Sequence, residues 1–284
     1  MKTAKATYQE LENNRDAYLQ RARDCARLTL PHLMTDEGDQ SSQRLPTPYQ
    51  SVGARGVNNL ASALLLSLLP PNAPFFRFML DAKAQNKLLA LSPNAKGEVE
   101  TSLSEMERRV QKEIEGLGIR SALFEALKQL IVCGSVVIYF PDDGPMRVMK
   151  LDRFVVKRDP MGTAKTIIIK ETVSPSALPD EMQPFVRSCM CSHENSVCIY
   201  TCCHRISEDK VEVYQEVEGE IIPDSYGVYS VEQSPFLALR MNRIDGEDYG
   251  RSYVEQYLGD LISLESLSKS IVEAAAAAST MLLD

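Results

Sequence analysis

Apolar positions in the first third of the chain recur with a helical period. From Tyr8 to Leu28 the residues Leu11, Tyr18, Ala22, Cys25, Ala26 and Leu28 fall mostly at spacings of three, four and seven, which predicts an amphipathic helix stopped by Pro31. Residues 36–48 are polar and proline-containing and read as a surface loop. A second helix is expected from Pro48 or Ser51 to Leu69, where Pro70 and Pro71 break it. A third starts near Pro93 and carries Val99, Leu103, Met106, Val110 and Ile114 on one face, expected to be core-directed, before Gly116 and Gly118 end it. A fourth covers roughly Arg120 to Cys133.

The period then changes to that of strands. Val136 to Phe140 is a β-branched and aromatic run closed by the turn sequence Pro141 to Pro145, and Met146 to Val156 follows as one further strand-like stretch. Asp159 to Gly162 turns the chain into Lys165 to Val173, which predicts an antiparallel meander. Residues 174–190 read as loop with a short helix, and Val197 to Ile206, Lys210 to Val217 and Phe236 to Arg243 as further strands. The fold class expected is α+β: a helical N-terminal region plus an antiparallel β meander, followed by a long C-terminal helix.

That last helix, from about Gly250 to Leu283, contains no proline. Tyr257, Leu261, Leu264, Leu267 (or Ser268) and Ile271 form an apolar stripe among charged residues. Some 30 residues would span ~45 Å, too long for one more element of a compact domain of this size. Its alanine run, Ala274 to Ala278, has high helix propensity and little bulk, so another helix can approach closely.

Composition narrows the function. With 284 residues, 44% hydrophobic and 25% charged, the chain can bury a core. The longest apolar stretch, Ala61 to Leu69, is far short of the ~18 residues of a membrane span, and Lys2 and Lys5 lead into polar sequence without the apolar core of a signal peptide. Residues 1–142 carry 17 Lys and Arg against 16 Asp and Glu, whereas residues 143–284 carry 14 against 23. Gripping nucleic acid requires clustered cations to neutralise phosphates, so the acidic half should repel a duplex, although DNA could still move past it. Arg21, Arg23 and Arg27 on one helix, and Arg108, Arg109 and Lys112 on another, read as solvated faces.

Seven cysteines, an odd number, read as reduced thiols and suggest a cytosolic setting. Cys189, Cys191, His193, Cys198, Cys202, Cys203 and His204 lie within sixteen residues, but the spacing is poor for zinc. Cys189-x-Cys191 is too tight for a knuckle, and the adjacent Cys202 and Cys203 would point to opposite faces of a strand. Phosphate-cradle, zincin and serine-elbow motifs are missing. Gly116-Leu117-Gly118 and Cys133-Gly134-Ser135 read as helix-ending glycines, His32 as a surface or capping residue, and the acidic run Glu208 to Glu220 as a hairpin strand with one solvated face. No catalytic, cofactor-binding or metal residue is assigned, and no cofactor is expected.

Three longer segments carry a resemblance. Residues 48–62 (PYQSVGARGVNNLAS), residues 123–132 (LFEALKQLIV) with Gly134, and residues 245–261 (DGEDYGRSYVEQYLGDL) are similar, in order, to the portal or head-to-tail connector proteins of T7-like short-tailed bacteriophages. The resemblance implies a structural subunit and not an enzyme: a homo-oligomeric ring, of about twelve copies, at one capsid vertex of the virion. The resemblance also implies that this ring assembles in the host cytoplasm. On the same resemblance, double-stranded DNA would be packaged and ejected through the ring without being bound sequence-specifically. The implied partners are the terminase motor, scaffold and capsid protein, tail adaptor proteins and internal core proteins; no membrane is involved. Residues 1–246 would be the wing region (helices within 8–133, β-rich 134–246). Residues 247–284 would be the first stem helix, the chain ending before the clip, return stem and crown expected of the family. The Cys-rich segment 189–204 has no counterpart in that pattern.

Stem-helix packing is then expected at Leu261, Leu264, Ile271, Ala274 and Ala276, with Glu265, Lys269 and Glu273 facing the channel. A monomeric adaptor or scaffold module and, more remotely, a zinc-binding enzyme are the alternatives, separated from the ring by imaging and by metal content.

Overall fold

The computed structural model describes residues 3–35, 44–71, 74–81, 95–141, 144–178, 182–189 and 196–281. Six α-helices and nine strands are present among them: α1 (Ala4–Arg27), α2 (Val52–Leu68), α3 (Ala95–Gly116), α4 (Ile119–Cys133), β1 (Ser135–Tyr139), β2 (Arg147–Met149), β3 (Phe154–Arg158), β4 (Ala164–Val173), α5 (Gln183–Cys189), β5 (Val197–Arg205), β6 (Lys210–Val217), β7 (Glu220–Ile221), β8 (Gly227–Ser230), β9 (Phe236–Arg240) and α6 (Leu258–Met281). The fold is α+β with antiparallel sheets and a long C-terminal helix, as the periodicity predicts. Most of the loop expected at residues 36–48 lies outside the described residues.

The strands form two sheets. One has the order β2-β1-β9; the other runs β3-β4-β5-β6-β7, with β8 also pairing β6. The single stretch expected from Met146 to Val156 is in fact two strands in different sheets. A 3-10 turn at Leu151–Arg153 carries the chain from one sheet to the other. This break leaves main-chain carbonyls without a ladder partner, and buried polar groups of that kind must find one. Arg15, only 3% exposed, supplies it: its guanidinium donates to the carbonyls of Asp152 (2.8 Å) and Phe154 (3.2 Å) and to the Tyr8 hydroxyl (2.9 Å). Likewise β9 joins β1 and not the main meander, and β7 and β8 extend it beyond the predicted strands.

The larger sheet is buried on both faces, with alternate residues turned to each. Val155, Ile168, Tyr200 and Cys202 pack on Ala4, Tyr8 and Leu11 of α1. Phe154, Val156, Ile167, Ile169 and Cys203 face the main core with Leu19, Ala22, Cys25 and Ala26 of α1 and Leu127, Ile131 and Val132 of α4. The two neighbouring cysteines thus point to opposite faces, as their adjacency in a strand requires. Helix α3 departs from expectation. Met106 (54%) and Val110 (39%) are exposed, and none of its other stripe residues is buried. Periodicity reports which face of a helix is apolar, but not whether the same chain covers it.

Candidate functional site at the root of the C-terminal helix

The three similar segments, far apart in sequence, converge where the C-terminal helix leaves the body. Helix α4 ends in the left-handed residue Gly134 (φ 78°), whose N–H donates to the carbonyl of Leu130. The next free carbonyl, that of Ile131, accepts from the Ser252 hydroxyl (2.9 Å) and the Tyr253 N–H (3.1 Å). The chain entering the C-terminal helix therefore caps the end of α4. Gly250 donates its N–H to the Ser135 hydroxyl (2.9 Å), and the Gly134 carbonyl accepts from the Met241 N–H (2.9 Å). Backbone meets backbone here: a Cβ on Gly134 would lie 2.5 Å from the Gly250 carbonyl oxygen, and one on Gly250 equally near that of Gly134.

The loop before Gly250 closes the open edge of β3. The Val156 N–H donates to the Tyr249 hydroxyl (3.1 Å) and the Arg158 N–H to the Asp248 carboxylate (2.7 Å), so the edge has no free template for a further strand there. Lys157 pairs with the same carboxylate at 3.1 Å. The Arg158 guanidinium donates to the carbonyls of Asp248 (2.8 Å), Gly162 (3.0 Å) and Ala238 (3.1 Å). Burial and the neighbouring Arg240 and Arg243 lower its pKa to about 10, against the pull of Asp248, which still leaves it charged at neutral pH. Burial likewise pushes the Tyr249 hydroxyl up, so it stays a neutral hydrogen-bonding group.

Charge ties this root to α1. Arg251 forms ion pairs with Glu247 (2.6 Å) and Glu255 (3.1 Å), and Glu255 also meets Arg21 at 3.7 Å. Arg21 lies 4.5 Å from the Tyr18 ring centroid, and Tyr18 packs on Tyr249 with centroids 5.1 Å apart. Arg21 is therefore part of the root and not only of a solvated face, which one sequence taken helix by helix could not reveal.

From this root α6 runs on for 24 residues. Val254–Tyr257 form a 3-10 turn, and α-helix begins at Leu258. Leu261 and Leu264 line an open apolar groove of about 480 Å³ together with Val52, Val57 and Leu60 of α2 and Tyr257. Glu265 does not project bare into solvent. Its carboxylate accepts the N–H groups of Tyr49 (2.9 Å) and Gln50 (3.2 Å), just ahead of α2. Beyond it the helix leaves the body. Leu267 is 62% exposed and Ile271 67%, Ala274 and Ala276 are exposed, and Lys269 and Glu273 form a loose pair at 3.9 Å on the surface.

Among the described residues no group of three His, Cys, Asp or Glu is arranged to hold a metal ion. The Cys189 side chain, Cys191 and His193 lie outside the described residues. Cys25 and Cys202 are buried thiols pushed up by that burial to about 11 and about 12, far from the thiolate a nucleophile needs. Among the described residues no helix is long and apolar enough to cross a membrane.

Comparison with known proteins places the whole chain in one family. The family described as bacteriophage head to tail connecting protein matches residues 1–284. The portal protein of Escherichia phage T7 is 39% identical over 279 residues, 95% of this chain and 52% of that protein. That of Enterobacteria phage T3 is 39% identical over 277 residues, and that of Enterobacteria phage SP6 31% over 274, each again covering 95% of this chain. The chain spans about half the length of these curated relatives. The chain belongs to the bacteriophage head-to-tail connecting, or portal, proteins.

Proposed function

We propose that this chain is the wing and first stem helix of a portal subunit that assembles into a ring at one capsid vertex, with residues 1–246 as wing and 247–284 as stem. Double-stranded DNA passes through that ring during packaging and ejection, and the ring docks the terminase motor and then the tail proteins. The observation that carries the reading is the state of α6: an apolar helix about 36 Å long that its own chain covers only in part near its start, through Leu258 and Leu261, and leaves exposed at Leu267, Ile271 and Val272. Such a helix is incomplete alone. Copies standing side by side would cover Leu267 and Ile271, and the small Ala274 and Ala276 would permit close approach in a heterologous, closing interface.

The charge balance supports a passage and not a grip. A duplex carries about one charge per 1.7 Å, so each basic contact would add salt-dependent drag. The acidic second half avoids it. Lys269 and Glu273, beyond reach of the body, are the residues proposed to face the lumen. Glu265 is already engaged by the chain's own backbone and is not counted among them. The experiment is negative-stain imaging of the full-length protein beside its Ile271→Asp variant. Rings from the wild type and separate protomers from the variant are expected; separate wild-type protomers at micromolar concentration would favour a monomeric adaptor and reject the ring.

A further inference from the structure

We infer that Glu265 is a positioning residue: a latch that fixes the direction in which α6 leaves the body. A rod attached at one point can swivel, whereas a rod attached at two has a direction. The first attachment is the root, where Ser252 and Tyr253 bond the Ile131 carbonyl. The second lies twelve residues on, roughly 18 Å along the helix. There the Glu265 carboxylate receives the N–H groups of Tyr49 and Gln50 at 2.9 and 3.2 Å. Among the described residues it is the farthest side chain along α6 that hydrogen-bonds another element.

The receiving segment is built to need a carboxylate. Helix α2 has no acidic residue in its first turn, and Ser51 at its N-cap makes no side-chain cap. The N–H groups of Tyr49 and Gln50, just ahead of that N-cap and near the positive end of the helix dipole, favour an anion from elsewhere, held by charge-assisted bonds. Gln50 passes the anchorage on to α1: its side-chain amide donates to the Leu28 carbonyl (2.7 Å), and its amide oxygen accepts the Gly53 N–H (2.9 Å). Glu265 thus reaches the end of α1 through one intervening residue. Between the two attachments lies the change from 3-10 turn to α-helix at Leu258, where hydrogen bonds switch partner and a bend is absorbed at least cost.

A second carboxylate supplies a contrast. Glu216 accepts the N–H groups of Ala4 (2.7 Å) and Lys5 (3.1 Å) at the start of α1, but it is 3% exposed and sealed in place. Glu265 is only half-buried, so its bonds can be exchanged for water without opening the core. The geometry is that of a tilt setting on a lever that the body otherwise holds near its start, by the apolar packing of Leu258 and Leu261. Its use in tilting staves around a channel rests on the function proposed above; the latch itself does not.

The test is a distance measurement by pulsed electron paramagnetic resonance on the full-length protein. Spin labels are placed at Gln20 of α1 and Ser270 of α6 through a non-natural amino acid, because the chain has seven cysteines of its own. Labelled protomers are diluted with unlabelled ones, so each distance is measured within one subunit. In E265A the distribution is expected to broaden and shift; E265Q, which keeps one acceptor oxygen, should recover most of the narrow population, and E273A should match the wild type. A distribution in E265A that superimposes on the wild type overturns the latch, whether or not rings form. Hydrogen exchange at Tyr49 and Gln50 gives a second reading, expected to speed up in E265A and in E265Q to a smaller degree. Failure of the wild type to form rings would reject the proposed function and leave the latch standing.

Discussion

Helices α1 and α6 are each 24 residues long and lead opposite lives. Helix α1 is the more polar, with arginine, aspartate and asparagine along it, yet eight of its residues are buried. Helix α6 is the more apolar, yet Ile262, Leu267, Ile271 and Val272 are each half or more exposed and no described side chain in it is buried. The difference teaches that apolar content does not decide burial; the presence of a complementary surface on the same chain does. For α1 that surface is the sheet and α4. For α6 beyond Glu265 the described residues of the chain present none; the proposed ring would supply it, and covering each half-exposed side chain would contribute on the order of 1 kcal/mol.

The contrast can be broken most severely at the root the two helices share. Gly134→Ala places a Cβ at a left-handed position, 2.5 Å from the Gly250 carbonyl, and is expected to cost about 4 kcal/mol in chemical denaturation, since strain and overpacking add. Leu19→Ala on the buried face of α1 should cost about 3 kcal/mol by the same measurement. Glu216→Ala removes the buried acceptor for two N–H groups at the start of α1 and should cost about 2 kcal/mol. Ile271→Asp on α6 should leave the unfolding of the protomer within about 0.5 kcal/mol, while abolishing assembly of the full-length protein. A large loss of protomer stability there would mean that α6 is covered by its own chain after all. The buried thiols sharpen the point: alkylation of Cys25 should track opening of the body and should be unchanged by Ile271→Asp.

Much of the fold was legible in the sequence, and the illegible parts share a cause. The bounds of α1, α2 and α4 fall within a few residues of where proline, glycine and the helical period put them. The opposite orientation of Cys202 and Cys203 follows from the period of a strand. By contrast, the change of sheet at Leu151–Arg153 carries no proline or glycine to mark it, so Met146 to Val156 reads as one strand-like stretch. The burial of Arg15 follows from that change and was equally hidden. The contacts of Glu216 and Glu265 join positions 212 and 216 residues apart, beyond any periodicity. A faint signal existed: the first turns of both α1 and α2 contain no acidic residue, and each helix start receives a carboxylate from far along the chain.

The root of the C-terminal helix was partly readable for the same reason. Gly134 and Gly250 stand in two of the similar segments, and Arg251, Glu247 and Glu255 are close enough in sequence to be seen as one charged cluster. Their meeting with α1 through Arg21 was not readable, since it depends on how the helices pack. Two smaller perturbations separate lumen from interface. Ala276→Phe is expected to prevent close helix approach and so reduce ring yield by imaging. Glu273→Lys is expected to leave rings intact and slow DNA packaging in a reconstituted system, because it adds a cation along the proposed path.

The most direct measurement is a cryo-electron microscopy structure of the assembled full-length protein, read at Leu267, Ile271 and Val272. Those side chains should be buried against the same helix of neighbouring copies around a central channel. If they are found against the body of their own protomer, or exposed to solvent in the assembly, α6 is not a ring-forming stave and the account fails.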